Sequence, residues 1–269
     1  MLAIKNNMMA ANAARHLGQS YDALATSVER LSSGLRINKA SDDAAGMAVR
    51  ELMRADIAVL QQGGRNASDG VSMLQTMEGA MQVQDNLLVR MQQLAEQAST
   101  GSYSSAQRVI MDNEFDQLVN EIQRIATSTD FNGIKMLDNS ATVSVHFGGA
   151  TDKIDIVGSK MTRSGLGISA LAITTAASAR AAITALDSAI VAKDTARAKF
   201  GYNINRLETT AQVLAIQAEN LMTAESRISD VDVATEMATL TRNQVLSQAG
   251  TSMLAQANSI PQMALSLLR

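Results

Sequence analysis

The side chains that could take part in acid–base chemistry are three pairs of acidic residues: Asp42 with Asp43, Asp112 with Glu114, and Asp230 with Asp232. Two carboxylates held close together can act as a general acid and a general base. Each pair, however, lies near a predicted helix start or on a charged helix face, where a carboxylate also stabilises free backbone amides. Helix capping explains all three pairs, so we expect no catalytic site and no enzyme.

Metal binding and covalent catalysis have few candidate residues. The two histidines, His16 and His146, are far apart in the sequence, and there is no cysteine. Thiolate ligands, cysteine nucleophiles and disulfides are therefore excluded, and isolated histidines are a poor basis for a metal site. A lone Gly165-Leu166-Gly167 lacks the further glycines and the lysine of a phosphate-binding loop. We expect no catalytic residues, no metal and no cofactor.

Composition argues against two further classes of partner. The net charge is −3 with an isoelectric point near 5.5, and both signs are interspersed, which predicts no nucleic-acid binding. No apolar run approaches the length of a membrane span, and the N-terminus lacks the pattern of a cleavable signal, so we expect no membrane insertion. Abundant Ala, Leu and Met with only 3% aromatic residues favour closely packed helices over a pocket enzyme.

The element that must position everything else is a helix predicted from Ile183 to Ile228. Alternating steps of three and four residues give a heptad seam of Ile183, Leu186, Ile190, Lys193, Arg197, Phe200, Ile204, Leu207, Ala211, Leu214, Ala218, Leu221, Glu225 and Ile228. At about 1.5 Å per residue such a rod is roughly 65–70 Å long, and other helices must cover its seam. The seam contains three charged residues, whose stems we expect along it with the charges at its edge.

Four shorter seams predict the other helices of the chain. The N-terminal seam is Leu17, Tyr21, Leu24, Val28 and Leu31, and it ends before Gly34. The second and third are Leu74, Met77, Met81, Gln84, Leu88, Met91, Ala95 and Ala98, and Met111, Phe115, Leu118, Ile122 and Ile125. The C-terminal seam is Leu246, Met253, Ala257, Ile260, Ala264 and Leu267, with Gly250 in phase and a kink or restart expected at Pro261. Most of the methionines fall at seam positions, which favours a packing role.

A single β-hairpin is predicted in the middle of the chain. Val143 to Phe147 alternates apolar with polar residues, and a polar turn leads to Ile154-Asp155-Ile156. Asn132-Gly133 is a separate turn signal. One hairpin is marginal alone, so it must rest on the helices. Residues 158–178, rich in Gly, Ser and Thr, are expected to cover the hairpin or to be exposed.

These elements predict a mainly α fold: a long antiparallel coiled-coil-like helical bundle with one small β-hairpin, and with the N- and C-terminal helices paired. The domains would be 1–40, the N-terminal half of a paired-helix assembly domain; 41–232, the bundle with the hairpin near 140–160; and 233–269, the C-terminal half of the assembly domain. A pair of Ala- and Met-rich helices has more apolar surface than one mutual seam buries. We therefore expect the ends to pack against other copies of the chain.

Three segments resemble a known family. LSSGLRINKASDDAAG from Leu31 closely resembles the N-terminal signature of bacterial flagellins, and QAGTSMLAQANSIPQMALSLLR from Gln248 resembles their C-terminal signature. FNGIKML from Phe131 is a further match. The resemblance covers nearly the whole chain, but the long variable insert of larger flagellins is missing.

The resemblance implies a structural subunit that polymerises with itself into the extracellular filament of the bacterial flagellum and serves motility. It also implies secretion in unfolded form through the flagellar type III export apparatus, and contact with a chaperone and with hook-junction and cap proteins. An alternative within this resemblance is a minor filament, junction or adhesive subunit that uses the same end helices.

A contact with an animal receptor is also implied by the resemblance. Flagellins recognised by the Toll-like flagellin receptor carry a helix motif similar to QRVRELAVQ and a glutamate on the following helix. The matching positions here are Arg90, Leu94 and Glu114, while Val89, Gln92 and Gln93 in place of polar or charged residues differ from the motif. We expect recognition through the three matching residues, weakened by the differences.

Overall fold

The computed structural model describes residues 6–149 and 151–266. Within them the chain forms five helices and one two-stranded sheet: α1 Met8–Ser33, α2 Ala44–Ser99, α3 Ser105–Ser128, β1 Thr142–His146, β2 Lys153–Val157, α4 Ala176–Ser229 and α5 Val233–Ser266. The prediction of a mainly α fold with one hairpin is confirmed. Helix α4 contains the whole predicted rod, and α5 continues through Pro261 without the expected restart.

Local sequence signals mark where several helices begin. Ser104 caps α3 in a reciprocal arrangement with Gln107, because its hydroxyl accepts from the Gln107 amide and the Gln107 side chain accepts from the Ser104 amide. At the start of α2, Asp43 Oδ1 accepts from the Gly46 amide at 2.9 Å. These contacts satisfy amides that have no partner within the helix.

The chain folds as two compact units. The end unit comprises Met1–Ile57 and Glu219–Arg269, and the middle unit comprises Ala58–Ala218. Helices α2 and α4 each contribute residues to both units. The domain boundaries expected near residues 40 and 232 stay a prediction. They are defined by which segments take part in assembly, and the fold of a single chain does not test that.

The core of the middle unit lies where α2, α3 and α4 pack together. All eight predicted seam residues of α2 are buried, and so are four of the five on α3, with Leu118 half-buried. Helices α2 and α4 are antiparallel: Gln92 Nε2 donates to Asp187 Oδ1 at 2.8 Å, and Arg197 Nε donates to Glu78 Oε1 at 3.1 Å. The predicted antiparallel bundle is thus observed, and Arg197 lies at the edge of the seam as expected.

Lys193 differs from the prediction that its charge lies at the edge of the seam. Its side chain is only 2% exposed, and its Nζ forms ion pairs with Asp85 of α2 and, at 2.9 Å, with Asp194. Burial lowers the pKa of Lys193, but hydrogen bonds to the two carboxylates outweigh that effect and hold its pKa above the ordinary value. The lysine is a buried ion-pair partner that links α2 to α4.

The hairpin rests on α2 through a glycine contact. Strands β1 and β2 are antiparallel, with Val143 opposite Ile156 and Val145 opposite Ile154. A Cβ at Gly63 would lie 2.2 Å from the carbonyl oxygen of Phe147, which no side chain could tolerate. Gly63 therefore does not break the helix but allows the chain after β1 to touch it.

The segment between β2 and α4 is more buried than its polar composition suggested. Four apolar side chains belong to the core of the middle unit: Met161, Leu166, Ile168 and Ile173. The backbone amide of Ile173 donates to Asp112 Oδ1 at 2.7 Å, which fixes the segment to α3. The segment completes the core instead of standing exposed.

Candidate assembly surface

Helix α1 ends in a junction that brings it beside α5. Gly34 has φ 73°, and its amide donates to the Arg30 carbonyl at 2.9 Å, which closes α1 at the predicted place. Beyond it, the Arg36 amide donates to the Ser229 carbonyl at 2.7 Å, and the Val231 amide donates to the Gly34 carbonyl at 3.0 Å. These bonds tie the segment after α1 to the segment before α5.

Helix α5 begins at an acidic cap. The Asp232 carboxylate accepts from the Thr235 hydroxyl at 2.7 Å and from the Ala234 amide at 3.0 Å. The hydrogen bonds from Thr235, and next that from Ala234, hold the pKa of Asp232 below its ordinary value. One of the sequence's candidate catalytic carboxylates is therefore a helix cap.

Helices α1 and α5 form an antiparallel pair, which confirms the predicted pairing of the ends. Asn7 Nδ2 donates to the Ala257 carbonyl at 2.8 Å, and a Cβ at Gly250 would lie 3.1 Å from Leu17 Cδ1. At the other end Arg30 and Glu236 lie 3.8 Å apart. The two helices approach closely because small side chains occupy much of their shared face.

The buried and half-buried residues of this face follow a heptad on each helix. On α1 they are Ala10, Ala13, Leu17, Ser20, Leu24, Ser27 and Leu31, and on α5 they are Leu240, Asn243, Ser247, Gly250, Leu254 and Ala257. The sequence interpretation did not include Ser27, Ser247, Leu240 or Leu254. The spacing of Leu240 and Leu254, each seven residues from Ser247, could have predicted this buried face of α5.

In the structure, some residues of the predicted assembly seam are half-buried between α1 and α5, and others are exposed. Leu17, Leu24, Leu31 and Ile260 are half-buried. The other four described members are exposed: Tyr21 at 49%, Val28 at 53%, Leu246 at 50% and Met253 at 63%. Leu267 lies outside the described residues. The exposed four are uncovered apolar side chains on the outside of the α1–α5 pair, two on each helix, and we call these four residues together the outer face.

The three residues matched to a receptor motif lie on α2 and α3. Arg90 Nε and Nη2 both donate to Glu114 Oε1, at 2.9 and 2.7 Å, and this ion pair is exposed. Leu94 is buried in the core of the middle unit. A partner can therefore reach Arg90 and Glu114 directly, but not the buried side chain of Leu94.

Two further carboxylates considered for acid–base chemistry accept local hydrogen bonds that stabilise the fold. Asp42 Oδ2 accepts from the Asn38 and Lys39 amides, and Asp230 Oδ2 accepts from the Ser226 hydroxyl. Across residues 6–149 and 151–266, acidic and histidine side chains form no cluster able to hold a metal ion. In the same part of the chain, no helix is both long and apolar enough to cross a membrane.

Comparison with known proteins identifies relatives along the whole chain. Residues 4–142 match the bacterial flagellin N-terminal helical region, and residues 183–268 match the bacterial flagellin C-terminal helical region. A flagellin of Halalkalibacterium halodurans is 43% identical, and a flagellar filament 33 kDa core protein of Treponema phagedenis is 42% identical, each over 99% of both chains. The crystal structure of Bacillus cereus flagellin is 31% identical, with a TM-score of 0.51 over 60% of this chain and 94% of that one.

Proposed function

The chain belongs to the bacterial flagellin family, and from this premise we propose that it forms the bulk of a flagellar filament by packing its outer face against copies of itself. As a flagellin it is a structural subunit of the filament, assembled from many copies of one chain, and not an enzyme. The observation that carries the proposal is that the four large apolar side chains of the outer face are uncovered in the single chain.

The outer face fits a homopolymer contact because of its composition. Tyr21 and Val28 lie on α1, and Leu246 and Met253 lie on α5; each is a large apolar side chain exposed to about half or more. Large apolar side chains left exposed along a helix pair are typical of surfaces that another chain covers. We propose that Leu267, placed in the same seam by its spacing, also serves assembly.

Leu246→Asp tests this proposal directly. Leu246 is half exposed in the single chain, so a carboxylate there stays hydrated and the monomer should keep its helicity and melting temperature. In a polymer the carboxylate would lie in an apolar contact, which costs several kcal/mol. We expect seeded polymerisation, measured by sedimentation, to fall at least about tenfold.

Two further variants make the result specific. Leu246→Met keeps the volume and apolar character and should polymerise normally. Ala257→Asp places a carboxylate inside the α1–α5 pair, where Ala257 is buried, and should reduce the helicity of the monomer as well as its assembly. If Leu246→Asp polymerised normally, Leu246 would not lie in the contact between subunits.

The alternative of a minor filament, junction or adhesive subunit makes a different prediction about abundance. A bulk subunit should be the dominant protein in filaments sheared from cells, by quantitative mass spectrometry. A chain found only in small fixed amounts, or only near one end of the filament, would support the alternative.

Secretion and the other flagellar partners follow as proposals from family membership. We propose export in unfolded form through the flagellar type III apparatus, with a chaperone before export and contact with hook-junction and cap proteins outside the cell. The absence of cysteine supports this route, because no disulfide has to be opened before the chain is unfolded. Deletion of the export gate should leave the chain inside the cell, whereas unchanged filament outside would contradict this route.

Recognition by the animal Toll-like flagellin receptor is proposed for the surface around Arg90 and Glu114. The guanidinium and carboxylate are half exposed, so they can exchange their mutual bonds for bonds to a partner. Arg90→Ala should reduce receptor signalling in a reporter cell line. Arg124→Ala, which removes an exposed arginine paired with Glu121 on α3, is the matched control and should leave signalling unchanged.

A further inference from the structure

The methionines divide sharply between the two units. Among the described methionines seven are buried, and all seven belong to the middle unit: Met73, Met77, Met81, Met91, Met111, Met136 and Met161. The α1–α5 pair instead carries exposed methionines. Met8 and Met9 on α1 are 64% and 62% exposed, and Met237, Met253 and Met263 on α5 are also exposed. The seam prediction that assigned methionine to packing therefore holds for the middle unit and not for the ends.

Exposure decides which of these side chains a small oxidant can reach. A thioether reacts at its sulfur, and a sulfur buried in a close-packed core is shielded from dissolved reagents. Oxidation also changes the chemistry of the side chain, because the sulfoxide is polar and chiral where the thioether was apolar and flexible. On an apolar contact surface this change opposes burial.

We propose that Met8, Met9, Met237, Met253 and Met263 are separate positions along the α1–α5 pair at which oxidation by hydrogen peroxide converts the chain into a folded subunit that cannot join the polymer. The inference rests on the proposed assembly through the α1–α5 pair. Oxidation leaves the middle unit intact because its seven buried methionines are protected. The modification is reversible in principle, since sulfoxide reductases restore the thioether.

The reaction needs only the thioether and the peroxide. The sulfur attacks one peroxide oxygen, a sulfur–oxygen bond forms as the oxygen–oxygen bond breaks, and the departing hydroxide takes up a proton and leaves as water. The sulfur is oxidised and the peroxide is reduced. Each event adds one oxygen atom to one methionine, so peptide mass mapping identifies every modified position.

The experiment compares untreated and peroxide-treated full-length monomer in a seeded polymerisation. At a limiting dose we expect oxidation at these five positions and at the exposed Met222 of α4, none at the seven buried methionines, and unchanged thermal unfolding of the middle unit. Polymer yield should fall about tenfold and return after treatment with the two methionine sulfoxide reductases. Failure of the untreated chain to polymerise would instead contradict the proposed function, so the two failures are distinguishable.

A fivefold variant with leucine at positions 8, 9, 237, 253 and 263 should polymerise and resist peroxide. The control is Met222→Leu, which removes an exposed methionine on α4 and should leave the chain peroxide-sensitive. The proposal is overturned by equal oxidation of buried and exposed methionines, by normal assembly of a chain fully oxidised at the five positions, or by a peroxide-sensitive fivefold variant. Where the fivefold variant polymerises poorly, failure of the reductases to restore assembly of the treated wild type overturns the proposal.

Discussion

Lys193 holds a positive charge inside a seam of apolar side chains. Its two carboxylate partners differ in position, because Asp85 comes from α2 whereas Asp194 is its own neighbour on α4. Only the first of these ion pairs joins two helices. A buried ion pair adds little net stability, but the loss of one partner leaves a charge without compensation.

Asp85→Asn should therefore lower the free energy of unfolding of the middle unit by about 3 kcal/mol, because the buried ammonium loses its partner on α2. The double variant Asp85→Asn with Lys193→Met should recover most of that loss. Urea unfolding followed by circular dichroism measures both. Equal losses in the single and double variants would mean that the two side chains do not act as a pair.

The pKa of Lys193 sets the pH range in which this contact persists. Because its pKa is raised in the folded chain, the contact stabilises the fold below the ordinary lysine pKa and is lost as the pH rises through the raised value. The pair is thus fully formed at neutral pH.

Asp232 shows the opposite sign of pH dependence. Its pKa is lowered in the folded chain, so the cap stabilises α5 above the ordinary aspartate pKa and is lost as the pH falls through the lowered value. Asp232→Asn should keep the cap and remove this pH dependence, since Asn is a comparable cap that does not titrate. Hydrogen exchange of the first turn of α5 between neutral and acid pH measures the effect. If Asp232→Asn lost as much protection in acid as the wild type does, a group other than Asp232 would cause the pH dependence.

At the scale of elements, neighbouring glycines in α2 have opposite surroundings. Gly63 lies directly against the backbone of Phe147, whereas nothing lies within 4 Å of a Cβ built at Gly64. A glycine inside a helix ordinarily only weakens it. The structure shows that only the first permits a contact between elements.

Gly63→Ala should destabilise the middle unit by about 1–3 kcal/mol, because the hairpin or the helix must move. Gly64→Ala is the matched control and should stabilise it by up to about 1 kcal/mol, since alanine favours the helix and meets open space. Chemical denaturation of the two variants gives the comparison. Similar stabilities would show that the hairpin does not rest on α2 at this point.

At the scale of the whole molecule, the two units are stabilised in different ways. The middle unit has a contiguous core made by three helices, the hairpin and the segment before α4. The α1–α5 pair shares a single face rich in alanine, serine and glycine. Helices with so little buried apolar area open more readily than helices in a core.

Limited trypsin digestion of the monomer should therefore cleave after Arg15 on α1 and Arg242 on α5 before it cleaves after Arg206 on α4, although all three side chains are exposed. In the filament the first two sites should become resistant, because neighbouring copies cover the pair. Mass spectrometry of timed samples gives the order of cleavage. Equal protection of Arg15 and Arg242 in monomer and filament would contradict assembly through the pair.

The sequence by itself determined the helices, the hairpin and the pairing of the ends. The rod of α4 and the seam of α2 are visible because heptad spacing repeats over many turns, and the end of α1 is visible because Gly34 can adopt a positive φ. The hairpin follows from alternation between Val143 and Phe147. These signals are local, so they need no knowledge of what each element contacts.

Only the tertiary structure decided which face of α5 meets α1. The sequence places Gly250 and Ala257 in the seam, but hydrophobicity then selects Leu246, whereas close approach of two helices selects its small neighbour Ser247. The burial of residues 161–173 and the partner of Lys193 were likewise decided by packing, since Asp85 is 108 positions away from the lysine. A sequence pattern shows which residues are apolar. Which of them are buried within one chain depends on how closely two helix surfaces can pack against each other.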